Sequence, residues 1–433
     1  MDFLSDVSLV GGPFLWFSIA CGAAGGMYLL WRRRRSWPLV VVGSLAVSAG
    51  IVALIHWILV DLMATFSENL PFETLAWSVP AVAAVLLCAA RLPRNSGKGR
   101  SLSVLAMLGV VLLSAVQVNL YFGLNNSVGD LLGTAVARIQ PLEAGLQRSP
   151  DSSKPGPALP EWKAPAAMPA HGILRKADIP GTTSGFTARE AYIYLPPAYQ
   201  TEPRPKLPVL VLFSGQPGGP ADWLTGGQLR SQLDRFAEAH HGVAPVTVVV
   251  DPNGSSGANT MCMDSMIAPA DTYLSRDVPA WITSTLDVSD DPRLWAVGGF
   301  SFGGTCAMQM GTAHPELFPT VLAFAAEREP ALAKDRNKTI QDSFDGDTAA
   351  FESRTPLALM QQRTYAGSAA YFTAGETDHE FIDYMHELAD AARRAGFAAE
   401  EHTIQHAGHS WDAVVRGMPG ALGFLADRWE LSR

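Results

Sequence analysis

The chain has 433 residues, 48% of them hydrophobic, and a formal net charge of −9. That length suits two or three domains, and the acidic balance excludes a basic face for nucleic acid. The charge is unevenly spread: residues 1–125 hold eight Lys/Arg against five Asp/Glu, so the remainder carries about −12.

Four apolar runs occupy residues 9–31, 39–60, 74–92 and 101–123. Each is close to the roughly 20 residues that a helix needs to cross a bilayer. A cleavable signal peptide would be one shorter run behind a basic residue, and a helix on a soluble core would keep a polar face. Arg32-Arg33-Arg34-Arg35 lies between the first two runs, and Arg91, Arg94, Lys98 and Arg100 lie between the last two. Asp2, Asp6, Glu68 and Glu73 flank the opposite ends. Positive loops stay on the cytoplasmic side, so the N-terminus and the chain from residue 124 onward are expected outside a multi-pass cell-membrane region. His56, inside the second run, reads as an interfacial or packing histidine beside the belt residue Trp57.

Residues 1–125 are thus expected to form a four-span transmembrane domain whose partner is the lipid bilayer. Residues 126–170 hold a short helix-like segment and then a Pro/Ala-rich stretch that cannot build a core, and they read as a linker. From 171 to 433 the pattern changes to short apolar runs at 192–195, 207–213, 246–250, 294–297, 321–324, 369–373 and 401–404. Amphipathic stretches at 229–239, 277–286, 381–395 and 414–430 alternate with them. That alternation predicts an α/β domain with a mostly parallel, doubly wound sheet.

Within that domain, Gly299-Phe300-Ser301-Phe302-Gly303 follows a strand-like run and precedes a small-residue helix-like stretch. Such a turn pushes a serine hydroxyl outward and needs glycines two residues to either side. A serine is a poor nucleophile at neutral pH, so it requires an imidazole to take its proton and a carboxylate to orient that imidazole. His409 supplies the first in His406-Ala407-Gly408-His409-Ser410-Trp411. For the second, Asp378 is favoured, with Glu376 as the alternative acid and Glu380 behind both, all three in the loop after the 369–373 strand. The chain order of serine, acid and histidine is that of α/β-hydrolases.

Cys21 and Cys88 fall in apolar runs and read as small buried hydrophobes, whereas Cys262 and Cys306 lie in the part expected outside, where a disulfide between them is predicted. Neither a Cys-x-x-Cys pair nor a His-Glu-x-x-His helix occurs, so no metal and no cofactor is expected.

Taken together, residues 171–433 resemble the esterase family of the α/β-hydrolase fold that includes mycolyltransferases and S-formylglutathione hydrolases. Tyr194-Leu195-Pro196-Pro197, the Ser214-Gly215 strand end, Tyr273 to Ile282, Gly299 to Gly304, His314-Pro315-Glu316-Leu317-Phe318 and Gly408 to Trp411 carry the resemblance in order. It implies Ser301 as nucleophile, His409 as base and the acid on the Glu376–Asp378 loop. It also implies an oxyanion hole from the backbone N–H groups of Gln216 and Phe302. Pro217 is a departure, because proline has no N–H to offer.

The function expected is a membrane-anchored, extracytoplasmic serine esterase acting on lipid-linked or cell-envelope esters through an acyl-enzyme. An acyltransferase of mycolyltransferase type using the same triad is one alternative. A serine peptidase usually brings a large extra domain, and a membrane-tethered interaction module without activity would not need an intact triad. Phe300, Phe302, Met261, Met263 and Trp411 suit either an acyl chain or a core.

Overall fold

The computed structural model describes residues 5–148 and 157–431. It divides into two compact units, Met1–Ala135 and Val136–Arg433.

The first unit contains four helices long and apolar enough to cross a membrane: α1 (Gly12–Leu30), α2 (Trp37–Trp57, extended by a π-turn to Leu62), α3 (Phe72–Arg91) and α4 (Gly97–Phe122). Their outward faces carry bare hydrophobics such as Trp16, Leu39 and Phe72, the arrangement expected where the surroundings are as apolar as the core. With no hydrophobic drive between such helices, close packing has to come from small residues. A Cβ on Gly25 would lie 2.3 Å from the Ala106 carbonyl oxygen, and one on Gly109 would lie 2.7 Å from that of Cys21, so α1 and α4 touch backbone to backbone. Arg91, at the end of α3, donates to the carbonyls of Tyr28, Leu29 and Trp31 and caps the open end of α1.

In the second unit a nine-stranded sheet runs in the order β1-β2-β3-β5-β4-β6-β7-β8-β9. The strands are β1 (Gln140–Pro141), β2 (Ile173–Ala177), β3 (Ala191–Leu195), β4 (Val209–Phe213), β5 (Val246–Val250), β6 (Trp295–Phe300), β7 (Thr320–Phe324), β8 (Ala369–Gly375) and β9 (Ala398–Ile404). From β5 through β4 to β9 every pairing is parallel, while β3 pairs antiparallel with both β2 and β5. Strands β3 to β8 are buried on both faces and read accordingly as continuous Val/Leu/Ala/Phe runs. The chain steps from β4 to one side and from β6 to the other. This switch point, at the strands' C-terminal ends, is where such sheets gather ligands and chemistry.

Packed against the sheet are α5 (Leu229–Ala239), α6 (Val278–Thr285), α7 (Phe302–Ala313), α8 (His379–Ala395) and α9 (Trp411–Arg428). In α8 the buried Phe381, Met385, Leu388, Ala389 and Ala392 recur at three- and four-residue spacing, and the helix stops at Gly396 in the left-handed conformation. Trp223 is fully buried, donates from its indole to the Phe213 carbonyl at 2.9 Å and packs edge-on against Phe324 and Trp411.

Three departures from the sequence reading have local causes. The strand expected over 207–213 begins at Val209, because Pro208 has no N–H for the ladder; Leu207 makes only an isolated bridge to Val288. The helix expected from Asp277 opens earlier: Ala270–Thr272 and a π-turn at Tyr273–Asp277 run straight into α6, and the Asp277 carboxylate accepts from the backbone of Thr183 and Ser184 and from the Ser184 hydroxyl. Within 126–170, part of the expected linker is built into the second unit: Gln140–Pro141 pairs with β2, and the Arg148 N–H donates to the Thr285 carbonyl at 2.7 Å. Residues 149–156 lie outside the described residues.

At the far end of α7, His314 Nε2 lies 2.7 Å from Asp271 Oδ1, with Glu316 at 3.7 Å from Nδ1. Burial pushes this imidazole toward neutrality, but the two carboxylates outweigh it and hold its pKa above the ordinary value. The folded state therefore binds the proton more tightly than the unfolded chain. The resulting stability is fully present below the unfolded value of about 6.5 and is lost as pH rises through the folded one. His314→Gln is expected to lower the melting temperature clearly near about pH 5.5 and much less near about pH 9. A pH-independent loss in thermal melts of the full chain would show that the ion pair contributes nothing.

Candidate active site

Ser301 occupies the turn between β6 and α7 with φ 57° and ψ −124°, a conformation that a non-glycine residue adopts only when its surroundings enforce it. The enforcement is visible on both sides. A Cβ on Gly299 would lie 2.1 Å from the Gly303 carbonyl oxygen, and one on Gly303 would lie 2.2 Å from that of Phe213. The glycines of the pentapeptide thus let α7 start hard against the ends of β4 and β6, while the Ser301 N–H donates to the Phe324 carbonyl of β7 at 2.9 Å.

His409 Nε2 is 2.8 Å from Ser301 Oγ, and His409 Nδ1 is 2.8 Å from Asp378 Oδ2. These distances suit the tautomer in which Nδ1–H donates to Asp378 and the Ser301 hydroxyl donates to Nε2. The His409 side chain is 13% exposed and that of Asp378 10%, so both contacts are largely screened from water. The ring of His409 lies between Phe300, at 4.9 Å between centroids, and Phe381, at 4.1 Å. Trp411 packs on Phe300 in turn. Each member sits at a helix start: Ser301 and Asp378 are the residues before the first turns of α7 and α8, and His409 precedes Ser410, whose hydroxyl caps α9.

The other two carboxylates of the acid loop are engaged elsewhere. The backbone of Glu376 and Thr377 continues the β8–β9 pairing through Ile404 and Ala407, and Glu376 Oε2 accepts the His406 N–H at 2.7 Å. Glu376 therefore holds the loop that leads to His409, without touching its ring. Glu380 accepts from the Tyr384 hydroxyl at 2.6 Å.

The turn after β4 passes beside Ser301, since a Cβ on Gly215 would lie 3.8 Å from the Ser301 Cβ. Gln216 follows, joined to Pro217 by a cis peptide, with its side-chain amide donating to the Gly257 carbonyl at 3.2 Å. Phe302 is the first residue of α7, where backbone N–H groups lack intrahelical partners. Two main-chain segments that can present N–H groups to a developing oxyanion thus flank Ser301.

Cys262 and Cys306 are disulfide-bonded, with 5.5 Å between their Cα atoms, and tie the loop after β5 to α7. Met261 and Met263 are buried with Ile340 and Phe351 in a core cluster of their own, so they belong to the core, whereas Phe300 stacks on the imidazole and Trp411 packs on Phe300. Phe381 was not singled out by sequence. Its signal was its place three residues beyond Asp378, on the first turn of α8.

A family profile described as "Putative esterase" matches residues 187–425. An uncharacterized protein of Corynebacterium glutamicum is 37% identical over 267 residues, which make up 59% of this chain and 62% of that protein. The chain thus spans less than two thirds of the length of the curated relative it matches. A ferulic acid esterase of known structure superposes with a TM-score of 0.52 at 18% identity, covering 60% of this chain and 98% of its own. An S-formylglutathione hydrolase from Agrobacterium tumefaciens gives a TM-score of 0.49 at 19% identity, covering 61% and 97%. The first of these likenesses agrees with the sheet order in assigning the α/β-hydrolase fold. The family match covers more than half of the 433 residues and includes Ser301, Asp378 and His409, and the chain belongs to this esterase family.

Proposed function

We propose that the protein is a membrane-anchored serine esterase whose catalytic unit faces away from the cytoplasm and deacylates lipid-linked or cell-envelope esters. The observation that carries the reading is the continuous contact from Ser301 Oγ through His409 to Asp378, at 2.8 Å for each step. Ser301 Oγ attacks the ester carbonyl while its proton passes to His409 Nε2. Asp378 holds the imidazole in the receiving tautomer and stabilises the imidazolium that forms. Negative charge on the carbonyl oxygen is met by the Gln216 and Phe302 N–H groups, and each such donor can contribute about 3 kcal/mol in the transition state. His409 then protonates the leaving alcohol, which departs to leave an acyl-serine. A second nucleophile, activated by the same imidazole, releases the acyl group.

Water as that second nucleophile makes the protein a hydrolase, and an alcohol makes it an acyltransferase of mycolyltransferase type; the same residues serve both. A non-catalytic interaction module has no use for a strained serine turned toward a carboxylate-paired histidine. Four apolar helices on the same chain favour esters that reside in or beside a membrane, and the arginine-rich α1–α2 and α3–α4 connections favour a cytoplasmic position for those loops.

Ser301→Ala is expected to abolish fluorophosphonate labelling and to lower turnover of short p-nitrophenyl esters by about 10⁴-fold or more without unfolding the chain. Asp378→Asn should cost about 10³- to 10⁴-fold in kcat, whereas Glu376→Gln should stay within about tenfold of wild type. Equal losses for the two carboxylates would remove Asp378 from the triad.

The orientation is read by placing single cysteines on intact cells. Asn69→Cys, between α2 and α3, should react with a membrane-impermeant maleimide, and Ser36→Cys, between α1 and α2, should react only after permeabilisation. The reverse pattern would turn the catalytic unit to the cytoplasm.

A further inference from the structure

We propose that Arg189 is a positioning residue for acyl transfer, one that holds the Gly215–Gly219 turn so that the Gln216 N–H stays aimed at the carbonyl oxygen bound at Ser301. This rests on Ser301 being the nucleophile. Arg189 lies just ahead of β3, outside every motif that marks the triad, and it is joined to the site through Asp251, the residue that follows β5.

Asp251 is fully buried and its carboxylate collects five N–H donors. Three come from Arg189: its backbone N–H at 2.8 Å, Nε at 2.9 Å and Nη2 at 2.8 Å. The other two are the backbone N–H groups of Asn253 at 3.1 Å and Gly254 at 3.0 Å. Burial by itself would raise this carboxyl, but the Arg189 bonds and the backbone donors outweigh it and keep Asp251 below the usual carboxylate range, hence anionic.

The guanidinium spends its remaining reach on the turn. Nη1 donates to the Gly218 carbonyl at 3.0 Å, and a Cβ on Gly219 would lie 2.7 Å from that same nitrogen, so the group is packed flat against the Gly218–Gly219 backbone. From the other side, the Gly218 N–H donates to the Ser256 carbonyl at 3.0 Å and the Gln216 side chain to that of Gly257 at 3.2 Å. Ser256 and Gly257 belong to the loop whose first residues are bound to Asp251. These two grips lead back to one buried carboxylate at the end of the strand next to β4, while Asp222 Oδ2 accepts the Gly219 N–H at 2.8 Å at the far end of the turn; Arg189 is the grip that joins Gly218 to Asp251 directly.

A planar fork is needed for this. Arg189 meets both Asp251 oxygens and still projects Nη1 in the opposite direction, a span that a compact ammonium cannot reproduce. A bare buried ion pair would stabilise the fold without moving the transition state. Here a displacement of the turn by about 1 Å would cost about 10²-fold in rate, because an oxyanion donor works only at its proper distance.

The test uses the full chain in detergent, with a short p-nitrophenyl ester as substrate and an alkyl boronic acid as the tetrahedral analogue. Arg189→Lys is expected to lower kcat about 10²-fold with KM within about twofold, to weaken the boronic acid by a similar factor, and to leave the melting temperature within a few degrees of wild type. Adding methylguanidinium to Arg189→Ala should restore part of kcat. If Arg189→Ala does not fold, Arg189→Lys carries the test alone. Retained kcat in Arg189→Lys, or a fall in kcat with unchanged boronic acid affinity, would overturn the proposal. Turnover that survives Ser301→Ala would instead overturn the nucleophile assignment on which it rests.

Discussion

The constraint on which the catalytic unit depends is the approach of three helix starts to the C-terminal edge of one parallel sheet. Parallel strands leave their connections crossing the faces, so the helices begin near that edge: one residue separates β6 from α7, three separate β8 from α8 and six separate β9 from α9. In this chain α7 begins so close to β4 and β6 that Gly303 and Phe213 are in backbone contact. The strain at Ser301 is the cost of that proximity, sustained by the fully buried strands on either side. Asp378 and His409 arrive by the same construction from α8 and α9, and two 2.8 Å contacts join the three starts.

The two units turn opposite kinds of side chain outward. The bundle of α1–α4 presents hydrophobic side chains outward and gains its cohesion from glycine contacts and from a cation capping carbonyls. Val136–Arg433 does the reverse, with aromatic residues inside and ion pairs such as Arg175–Glu143 and Arg336–Glu329 at the surface. A single hydrophobicity average over the chain hides this division, which is why the 48% figure informs only when it is read by segment.

Features that rest on local backbone demands were legible from sequence. The Gly-x-Ser-x-Gly turn announces itself because nothing but glycine fits at its flanks, and the apolar runs announce themselves by length. The α/β alternation likewise emerged from short Val/Leu strands separated by amphipathic stretches. Features that rest on distant partners and carry no motif were not legible. Strand β2 contains Arg175 and Lys176 and lacks alternation, since its charges are met by Glu143 and Glu190. Glu376 and Asp378 follow the same strand two residues apart, and only the continued β8–β9 pairing separates their roles, by giving Glu376 to the His406 N–H. Arg189 meets Asp251 across 62 residues of chain, and no spacing rule links them.

The bond between Cys262 and Cys306 reaches further than its two loops. Cys306 stands five residues after Ser301, on α7, and Cys262 anchors the segment after β5 that begins at Asp251. A covalent tie of this kind persists where thiols are oxidised and is rare in a reducing cytosol. On the proposed outward orientation, the helix that follows Ser301 would be tied to the β5 loop only after the chain has left the cytoplasm, and newly made chains on the inner side would lack that tie.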